Sequence, residues 1–360
     1  MNNHDVHKDF MEYAIKLAKK GLGKVSPNPL VGCVIVKNGK IIGEGYHKKF
    51  GENHAEVEAF NNCSEPPEGS DLYVNLEPCT IYGKTPPCVD RIIENGIKNV
   101  YIGVKDANPD INGKGIEQLI ESDIKVYSGI LHKECYELNI GFFKWIKTKI
   151  PWVIVKIAQS NNGFMGIDSD SSIWLTGDDT KIDTHSLRSN VDGIMIGRQT
   201  AEVDNPLLTV RAINANSPIR IIADTNRTLP LNLKLFKDMT SKNIVLCSNQ
   251  KFQNSSTTYC KYLTVNEKNH TLDPNNILHV LGEYGITKLL IEGGANIISS
   301  FLSCDLVDEV YLYTSNNLLE NASLRTPFKI DNNWDIVKKE SFSNDSLIIA
   351  RKKELCLQEL

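Results

Sequence analysis

Apolar residues in the first part of the chain follow a helical period and then two short strands. An apolar residue recurs at i, i+4, i+7 and i+8 from Phe10 to Ala18, which predicts an amphipathic helix closed by Lys19-Lys20-Gly21. Strands are predicted at 32–37 and 40–46, and the Asn38-Gly39 pair between them is typical of a hairpin turn.

Helices and strands then alternate as far as residue 145. The pattern predicts a helix from about 55, a strand at 72–76, a helix from about 87, a strand at 100–104 and a final helix over 132–145. This alternation is typical of a three-layer α/β domain.

The pattern changes near Ile150-Pro151, where a second α/β unit begins. Its strands are predicted at 152–158, 193–197, 219–223, 244–247, 288–291 and 307–313, with a helix over 178–189. The stretch 251–276 is rich in Asn, Ser and Thr and is interpreted as variable surface with little chemistry. We therefore expect a first domain over 1–147 and a second over 151–360.

Composition narrows the classes of function. Of the 360 residues, 41% are hydrophobic and 23% are charged, which is typical of a globular protein. No apolar run approaches the roughly 20 residues of a membrane span, and the start lacks a basic segment followed by an apolar one. The net charge of −4 disfavours nucleic acid as a partner. We expect a cytoplasmic protein, and its nine cysteines, an odd number, direct attention to metal or catalytic use.

A metal constellation stands in the first half. His54, Cys79 and Cys88 offer one imidazole and two thiolates, which suits a tetrahedral zinc with its fourth position open to water. Zinc lowers the pKa of that water, and Glu56 is placed to carry its proton. A His followed two residues later by a non-ligand Glu, with a Pro-Cys and a later Cys, is the signature of zinc-dependent base deaminases.

These motifs carry a resemblance to a family. Residues 26–34 (Ser-Pro-Asn-Pro-Leu-Val-Gly-Cys-Val), 43–47 (Gly-Glu-Gly-Tyr-His), 54–56 and 76–79 resemble the deaminase half of the bifunctional riboflavin biosynthesis proteins of bacteria. Nucleic acid and cytidine deaminases resemble one another in having two residues between the cysteines, whereas eight intervene here, as in the riboflavin family. The resemblance implies a cytidine-deaminase-like α/β/α fold.

The resemblance also implies substrate contacts in the first domain. Lys84 and Thr85 would contact the phosphate of the substrate, and the contacts to the pyrimidine and ribose would come from Asn28, His47, Asp106 and Asn108. Ordinary loop chemistry explains the last four equally well. The family usually has Ser-His where this chain has Thr80-Ile81, so a contact made by that His is missing.

The second half resembles the reductase domain of the same family, which is similar to dihydrofolate reductase in fold and uses NADPH. The resembling stretches are 156–160, 174–176, 197–200, 204–211 and 292–294. No Gly-x-Gly-x-x-Gly follows a predicted strand, whereas Gly293-Gly294 precedes a predicted helix and suits a diphosphate. A simple tight turn is the alternative.

Family positions in the second half fall into two sets. Those facing NADPH are Ala158, Trp174, Thr200, Asp204, Thr225, Gly293 and Gly294. Those facing the substrate are Lys156, Ser172, Arg188, Leu208, Arg211 and Glu292.

Chemistry suggests roles for some of these residues. Arg188 and Arg211 suit a phosphate clamp, although a lone Arg is by default a solvated surface charge. Lys156 and Asp204 are candidates for the proton donor of the reduction, with a structural ion pair as the alternative. Two departures from the family concern this half: Asn162 replaces the usual Asp, and residues 315–320 replace a Pro-Lys-Leu-Leu/Ile-Gly-Gly segment.

The expected function is therefore bifunctional, with zinc and NADPH as cofactors. The first domain would deaminate a phosphoribosylamino-pyrimidine, and the second would reduce its ribosyl chain to ribityl. A degenerate second domain, a nucleoside or tRNA deaminase, and a closed structural zinc are the alternatives. Partners are expected to be small molecules, and the family suggests a homodimer or larger oligomer.

Overall fold

The structure is a computed structural model that describes residues 3–82, 86–166, 175–252 and 257–353. The chain divides into two compact units, Met1–Lys149 and Ile150–Leu360. In the described part of the chain, no helix is both long and apolar enough to cross a membrane.

The first unit has a five-stranded sheet between two layers of helices. Its strands are β1 (Gly32–Lys37), β2 (Lys40–Tyr46), β3 (Asp71–Leu76), β4 (Asn99–Val104) and β5 (Lys125–Ser128). Its helices are α1 (Asn3–Ala18), α2 (Ala55–Asn61), α3 (Cys88–Glu94), α4 (Lys114–Glu121), α5 (His132–Leu138) and α6 (Ile140–Thr148). The strand order is β2-β1-β3-β4-β5, with β1 antiparallel to β2 and β3, and β3, β4 and β5 mutually parallel.

Alternation along β1 separates the two cores of this unit. Val34 packs with α1, α5 and α6 on one face, while Cys33 and Ile35 pack with α2, α3 and α4 on the other. The predicted three-layer arrangement is confirmed.

The final helix of this unit differs from the prediction of one helix over 132–145. It is broken into α5 and α6 at Asn139, whose side chain binds both the N–H and the carbonyl of Leu30, at 2.8 and 2.9 Å. Asn75 donates to the same carbonyl at 2.9 Å. Asn139, at the break, therefore holds the segment that leads into β1. No local sequence pattern indicates this contact, because the two segments are far apart along the chain.

The second unit has a nine-stranded mixed sheet with helices packed on it. Its strands are β6 (Trp152–Gln159), β7 (Phe164–Gly166), β8 (Gly193–Gly197), β9 (Ile219–Ala223), β10 (Asn243–Ser248), β11 (Lys261–Val265), β12 (Glu267–Lys268), β13 (Thr271–Leu272), β14 (Lys288–Gly293), β15 (Glu309–Ser315), β16 (Leu324–Arg325), β17 (Trp334–Ser341) and β18 (Asp345–Lys352). Its helices are α7 (Asp178–Ser189), α8 (Arg198–Asp204), α9 (Lys234–Lys237), α10 (Pro274–Glu283) and α11 (Ala295–Ser303).

The order of the large sheet is β11-β10-β9-β8-β14-β6-β15-β18-β17. Its strands are parallel from β11 to β15, and β18 and β17 complete it antiparallel. The prediction of plain surface over 251–276 is wrong, because β11 lies within that stretch and Val265 and Leu272 are buried in the core. The strand β11 has only five residues, Lys-Tyr-Leu-Thr-Val, and the polar residues on either side of it hide this short apolar pattern.

Glycines in β2 set how closely α2 approaches the sheet. A Cβ added at Gly45 would lie 2.4 Å from the carbonyl oxygen of Ala55 and 2.4 Å from the backbone nitrogen of Ala59. One at Gly43 would lie 2.5 Å from the Ala59 oxygen. The helix that follows His54 therefore packs backbone to backbone on β2, which only glycine permits.

We predict that Gly45→Ala displaces α2 and with it the predicted ligand His54. Overpacking of this kind costs about 1–3 kcal/mol, so the variant should unfold at a lower temperature and copurify with less zinc per chain. The matched control is Ile41→Ala, an exposed side chain of the same strand. Full zinc content with an unchanged unfolding temperature would contradict the prediction.

Candidate metal centre and reductase cleft

Three elements of the first unit bring His54, Cys79 and Cys88 together. His54 is the residue before α2 and has an extended backbone, Cys79 follows β3, and Cys88 is the first residue of α3. The Nδ1 atom of His54 lies 3.4 Å from Sγ of Cys79 and 3.3 Å from Sγ of Cys88. The three ligand atoms lie within 4.8 Å of one another.

This donor set fits zinc. A nitrogen at about 2.0 Å and a sulfur at about 2.3 Å from a tetrahedral zinc lie about 3.5 Å apart, close to the His54–sulfur distances. The described residues contribute three ligands to the group, which corresponds to a catalytic site with an open position.

Hydrogen bonds within the group favour the thiolate form of one ligand. Bonds from Cys88 and His54 lower the pKa of Cys79, and the bond to Cys79 raises the pKa of His54 to about 9. A second N–H, from the backbone of Cys88, approaches the Cys79 sulfur at 3.4 Å. Thiolate is the form in which cysteine binds metals.

Glu56 lies in the first turn of α2 and is 3% exposed. Burial raises the pKa of its carboxyl, and the neighbouring His54 opposes this shift. A carboxyl with a raised pKa, next to a metal group but outside it, is suited to take up and release a proton.

His47 and Asn28 form a hydrogen-bonded chain beside this group. The Nδ1 atom of His47 bonds the carbonyl of Asn53 at 2.9 Å, and its Nε2 lies 3.1 Å from Nδ2 of Asn28. A neutral ring that donates from Nδ1 and accepts at Nε2 satisfies both contacts, and burial lowers the pKa of His47 accordingly. Its ring stands edge-on to that of His54, with centroids 5.7 Å apart.

Glu77 joins the cysteine loop to the loop that carries Asp106 and Asn108. Its buried carboxylate accepts four backbone N–H groups, those of Asp106, Gly113, Gly115 and Ile116, at 3.0–3.4 Å. Asp106 in turn accepts the N–H of Asn108 at 2.8 Å, and burial raises its pKa to about 6. Sequence analysis assigned no role to Glu77, because its partners lie about 30–40 residues further along the chain.

Two predicted substrate residues of this unit, Lys84 and Thr85, lie outside the described residues. Ile81, which stands where the family has His, is 42% exposed. It offers no polar atom in its side chain for a substrate contact.

A cleft of 1140 Å³ lies in the second unit, at the carboxyl ends of parallel strands. Such an edge is the usual ligand site of an open α/β sheet. The predicted residues that line the cleft are Lys156, Ala158, Arg188, Thr200, Asp204, Leu208, Arg211, Thr225, Glu292, Gly293 and Gly294. The other two, Ser172 and Trp174, lie outside the described residues.

A buried ion pair stands at the floor of this cleft. Arg188 donates from Nε and Nη2 to the carboxylate of Glu292 at 3.0 and 2.7 Å, and from Nη1 to the carbonyl of Thr209 at 3.1 Å. Burial alone would raise the pKa of Glu292, but Arg188 and Lys156 hold it below its ordinary value. Burial lowers the pKa of Lys156, with Glu292 opposing and Arg188 adding to the shift.

The glycine turn after β14 lies against Thr200. Gly294 has a φ of +83°, and a Cβ on it would lie 3.0 Å from Oγ1 of Thr200. The turn leads directly into α11, whose first N–H groups point out of the helix end. Sequence analysis missed part of the lining: Thr271, Leu272 and Pro274 come from the stretch predicted to hold little chemistry.

The two departures from the family in this unit contact each other. Asn162 donates from Nδ2 to the carbonyl of Leu319 at 3.1 Å, and its Oδ1 accepts the N–H of Leu319 at 3.2 Å. The hydroxyl of Ser160 also donates to that Oδ1, at 2.6 Å. An amide makes both backbone contacts, whereas a carboxylate has no proton for the carbonyl.

Comparisons with known proteins match both units. The model of the cytidine and deoxycytidylate deaminase zinc-binding region matches residues 4–104, and that of the RibD C-terminal domain matches residues 151–347. Riboflavin biosynthesis protein RibD of Actinobacillus pleuropneumoniae is 40% identical over 89% of this chain and 86% of its own length. RibD of Aquifex aeolicus is 37% identical, over 88% of each chain.

Solved structures agree. The diaminohydroxyphosphoribosylaminopyrimidine deaminase/5-amino-6-(5-phosphoribosylamino)uracil reductase of Thermotoga maritima superposes with a TM-score of 0.87 at 33% identity, and covers 98% of this chain and 100% of its own. RibD of Acinetobacter baumannii gives a TM-score of 0.84 at 31% identity, with the same coverage. The predicted fold class is confirmed.

We predict that Asn162→Asp loosens the contact with residue 319. The lost donor leaves the Leu319 carbonyl facing a carboxylate, at a cost of about 1 kcal/mol or about fivefold in local opening. Hydrogen–deuterium exchange should therefore speed up in peptides covering 316–325. The matched control is Asn161→Asp, because Asn161 contacts Asn317 through its backbone N–H; equal exchange in the two variants would contradict the prediction.

Proposed function

The chain belongs to the RibD family of riboflavin biosynthesis proteins, and from this premise we propose the residue roles in its two reactions. It is a bifunctional enzyme, with a zinc-dependent deaminase unit followed by an NADPH-dependent reductase unit. Both family models match, so the alternative of a deaminase with a degenerate second domain has no support. The observation that carries the assignment is the meeting of His54, Cys79 and Cys88 beside the buried Glu56 in a chain that also retains the reductase cleft.

The reactions are consecutive. The first is hydrolytic deamination of 2,5-diamino-6-(5-phosphoribosylamino)pyrimidin-4-one, with release of ammonia. The second is reduction of the ribosyl chain of its product, which gives 5-amino-6-(5-phosphoribitylamino)uracil. The alternative of a nucleic acid deaminase would not require the reductase cleft.

In the deaminase unit, His54, Cys79 and Cys88 would hold zinc. When bound, zinc supplies a Lewis acid that makes water nucleophilic near neutral pH. Glu56 takes the proton of the attacking water and delivers it to the departing amine, since burial raises the pKa of its carboxyl and so favours uptake of a proton.

Other residues of this unit bind or orient. Asn28 and Asn108, together with Asp106, contact the pyrimidine and ribose. His47, whose two ring nitrogens are both engaged, acts by holding Asn28 in place. Lys84 and Thr85 receive the phosphate.

We predict that Glu56→Gln retains about one zinc per chain and loses deamination by at least about 10² to 10⁴-fold, the usual contribution of a general acid–base group. Ammonia release and metal content are the measurements. The control is Glu94→Gln, an exposed acid at the end of α3. Near-normal turnover of Glu56→Gln would remove Glu56 from the mechanism.

In the reductase unit, NADPH when bound supplies the hydride. The Gly293-Gly294 turn, at the start of α11, and Thr200 would hold its diphosphate. Ala158, Trp174, Asp204 and Thr225 complete the cofactor site.

The substrate of the reduction lies against Lys156, Ser172, Leu208, Arg211 and Glu292. Arg188 is engaged by Glu292 and Thr209, so the exposed guanidinium of Arg211 is the better candidate for the substrate's phosphate. Lys156 is the better candidate for proton donor than Asp204. Burial lowers its pKa towards the operating range, while Glu292 keeps its ammonium form stable.

We predict that Lys156→Met lowers kcat for NADPH oxidation by about 10²-fold or more, as expected for loss of a proton donor, while NADPH still binds. Absorbance at 340 nm after addition of the deaminated substrate measures the rate. Glu56→Gln is its control, because that variant should reduce normally, and Lys156→Met should deaminate normally. Loss of both activities in either variant would indicate misfolding rather than a specific role.

Two further expectations from the family belong here. We propose that copies of the chain form a homodimer or larger assembly, which light scattering of the purified protein would measure. We also propose a cytoplasmic location, consistent with a biosynthetic enzyme that takes small phosphorylated pyrimidines as partners.

A further inference from the structure

Residues 205–218 form the loop between α8 and β9 that carries Arg211. Helix α7 holds this loop through two side chains that lie one turn apart. The Nδ1 atom of His185 accepts the backbone N–H of Arg211 at 3.0 Å. Nη1 of Arg188 donates to the carbonyl of Thr209 at 3.1 Å. Residues three apart share a helix face, so the position of this loop along α7 is fixed at two points.

The loop is held by its backbone while the side chain of Arg211 remains exposed. The guanidinium of Arg211 lines the cleft, and Leu208 at the start of the loop adopts a left-handed φ of +54°. A leucine in that conformation needs support from its surroundings. The bonds from α7 and the bond from the N–H of Val210 to Oγ of Ser217, at 2.9 Å, provide it.

His185 can make its bond only as a neutral ring. An Nδ1 that accepts a hydrogen bond carries no proton, so the proton of the ring is on Nε2. The charged groups around it are Lys181 and Arg188 on α7, Arg211 on the loop and Glu292 at the end of β14. Burial, followed by the cations Arg188 and Arg211, lowers the pKa of His185 to about 4, and its side chain is 2% exposed.

We propose that His185 is a positioning residue of the reductase, whose neutral imidazole fixes the backbone of Arg211 and so aims its guanidinium at the phosphate of the substrate. The proposal rests on the role of Arg211 given under the proposed function. His185 acts here as a hydrogen-bond acceptor, and neither hydride nor proton transfer passes through it.

Two substitutions separate this role from simple packing. His185→Asn keeps an acceptor, because the Oδ1 of Asn lies at nearly the place of the Nδ1 of His. His185→Leu fills similar space and leaves the N–H of Arg211 without its side-chain partner. We expect His185→Leu to raise KM for the deaminated substrate about tenfold with a smaller change in kcat, and His185→Asn to stay within about threefold of the wild type. The Kd for NADPH, measured by fluorescence, should be unchanged in both.

A double-mutant cycle tests whether the effect passes through Arg211. Arg211→Ala should raise KM in the wild type and add little in the His185→Leu background, because the same interaction is already lost. Additive effects, or equal loss in the Asn and Leu variants, would overturn the proposal. If Arg211→Ala leaves KM unchanged, the proposed role of Arg211 fails and the inference fails with it. If Arg211→Ala raises KM and His185→Leu does not, only the inference fails.

Unfolding provides a second measurement if the Leu variant folds poorly. The unfolded ring titrates near 6.5 and the folded ring near 4, so the unfolded chain binds more protons between these values. Stability from a neutral His185 is therefore complete above about pH 6.5 and is lost as the pH falls towards 4. NADPH identifies the unfolding transition of the reductase unit, because it shifts that transition. The midpoint temperature of this transition should fall more steeply with decreasing pH in the wild type than in His185→Asn. Parallel curves would contradict a buried, neutral His185.

Discussion

The metal centre depends on the close approach of one helix to one sheet. His54 belongs to no helix or strand. It is the residue before α2, so its position is set by the packing of that helix. Gly43 and Gly45 allow the backbone of α2 to lie directly on β2, and Ala55 and Ala59 are fully buried at that contact. The cysteines come from separate elements, Cys79 after β3 and Cys88 at the start of α3, so their sulfurs meet the imidazole only if α2 lies this close.

The reductase cleft is governed by a different constraint, the compensation of buried charge. An unpaired arginine or carboxylate at its floor would cost several kcal/mol. Arg188 and Lys156 therefore both stabilise the carboxylate of Glu292, and the pKa values of Lys156 and Glu292 depend on each other. Because Arg188 is used in this way, we assign the recognition of an incoming anion to Arg211, whose backbone N–H is bonded by His185 and whose side chain is exposed.

Sequence predicted the parts of this structure that local pattern determines. The helix from Phe10 to Ala18, the hairpin at Asn38-Gly39 and the parallel strands all have periodic or turn signals. The grouping of residues 54, 79 and 88 could be predicted because their residue types and spacing together are distinctive. The hydrogen bonds of Glu77 and His185 could not be predicted from the sequence. Each side chain accepts backbone N–H groups far along the chain, and a backbone N–H has no signature in the sequence. The break at Asn139 was missed for the same reason.

Considered one at a time, the departures from the family pattern in the second unit argue against a working reductase. Asn162 lacks the charge of the usual Asp, and the segment 315–320 lacks the usual glycines, so each change by itself weakens the case for reduction. In the structure the two changes meet, because one amide donates to the carbonyl of Leu319 and accepts from its N–H. The contact ties the turn before β7 to the segment before β16, and these two strands pair and line the cleft through Met165, Gly166 and Leu324. The two departures from the family pattern thus contact each other, and their contact supports one wall of the cleft.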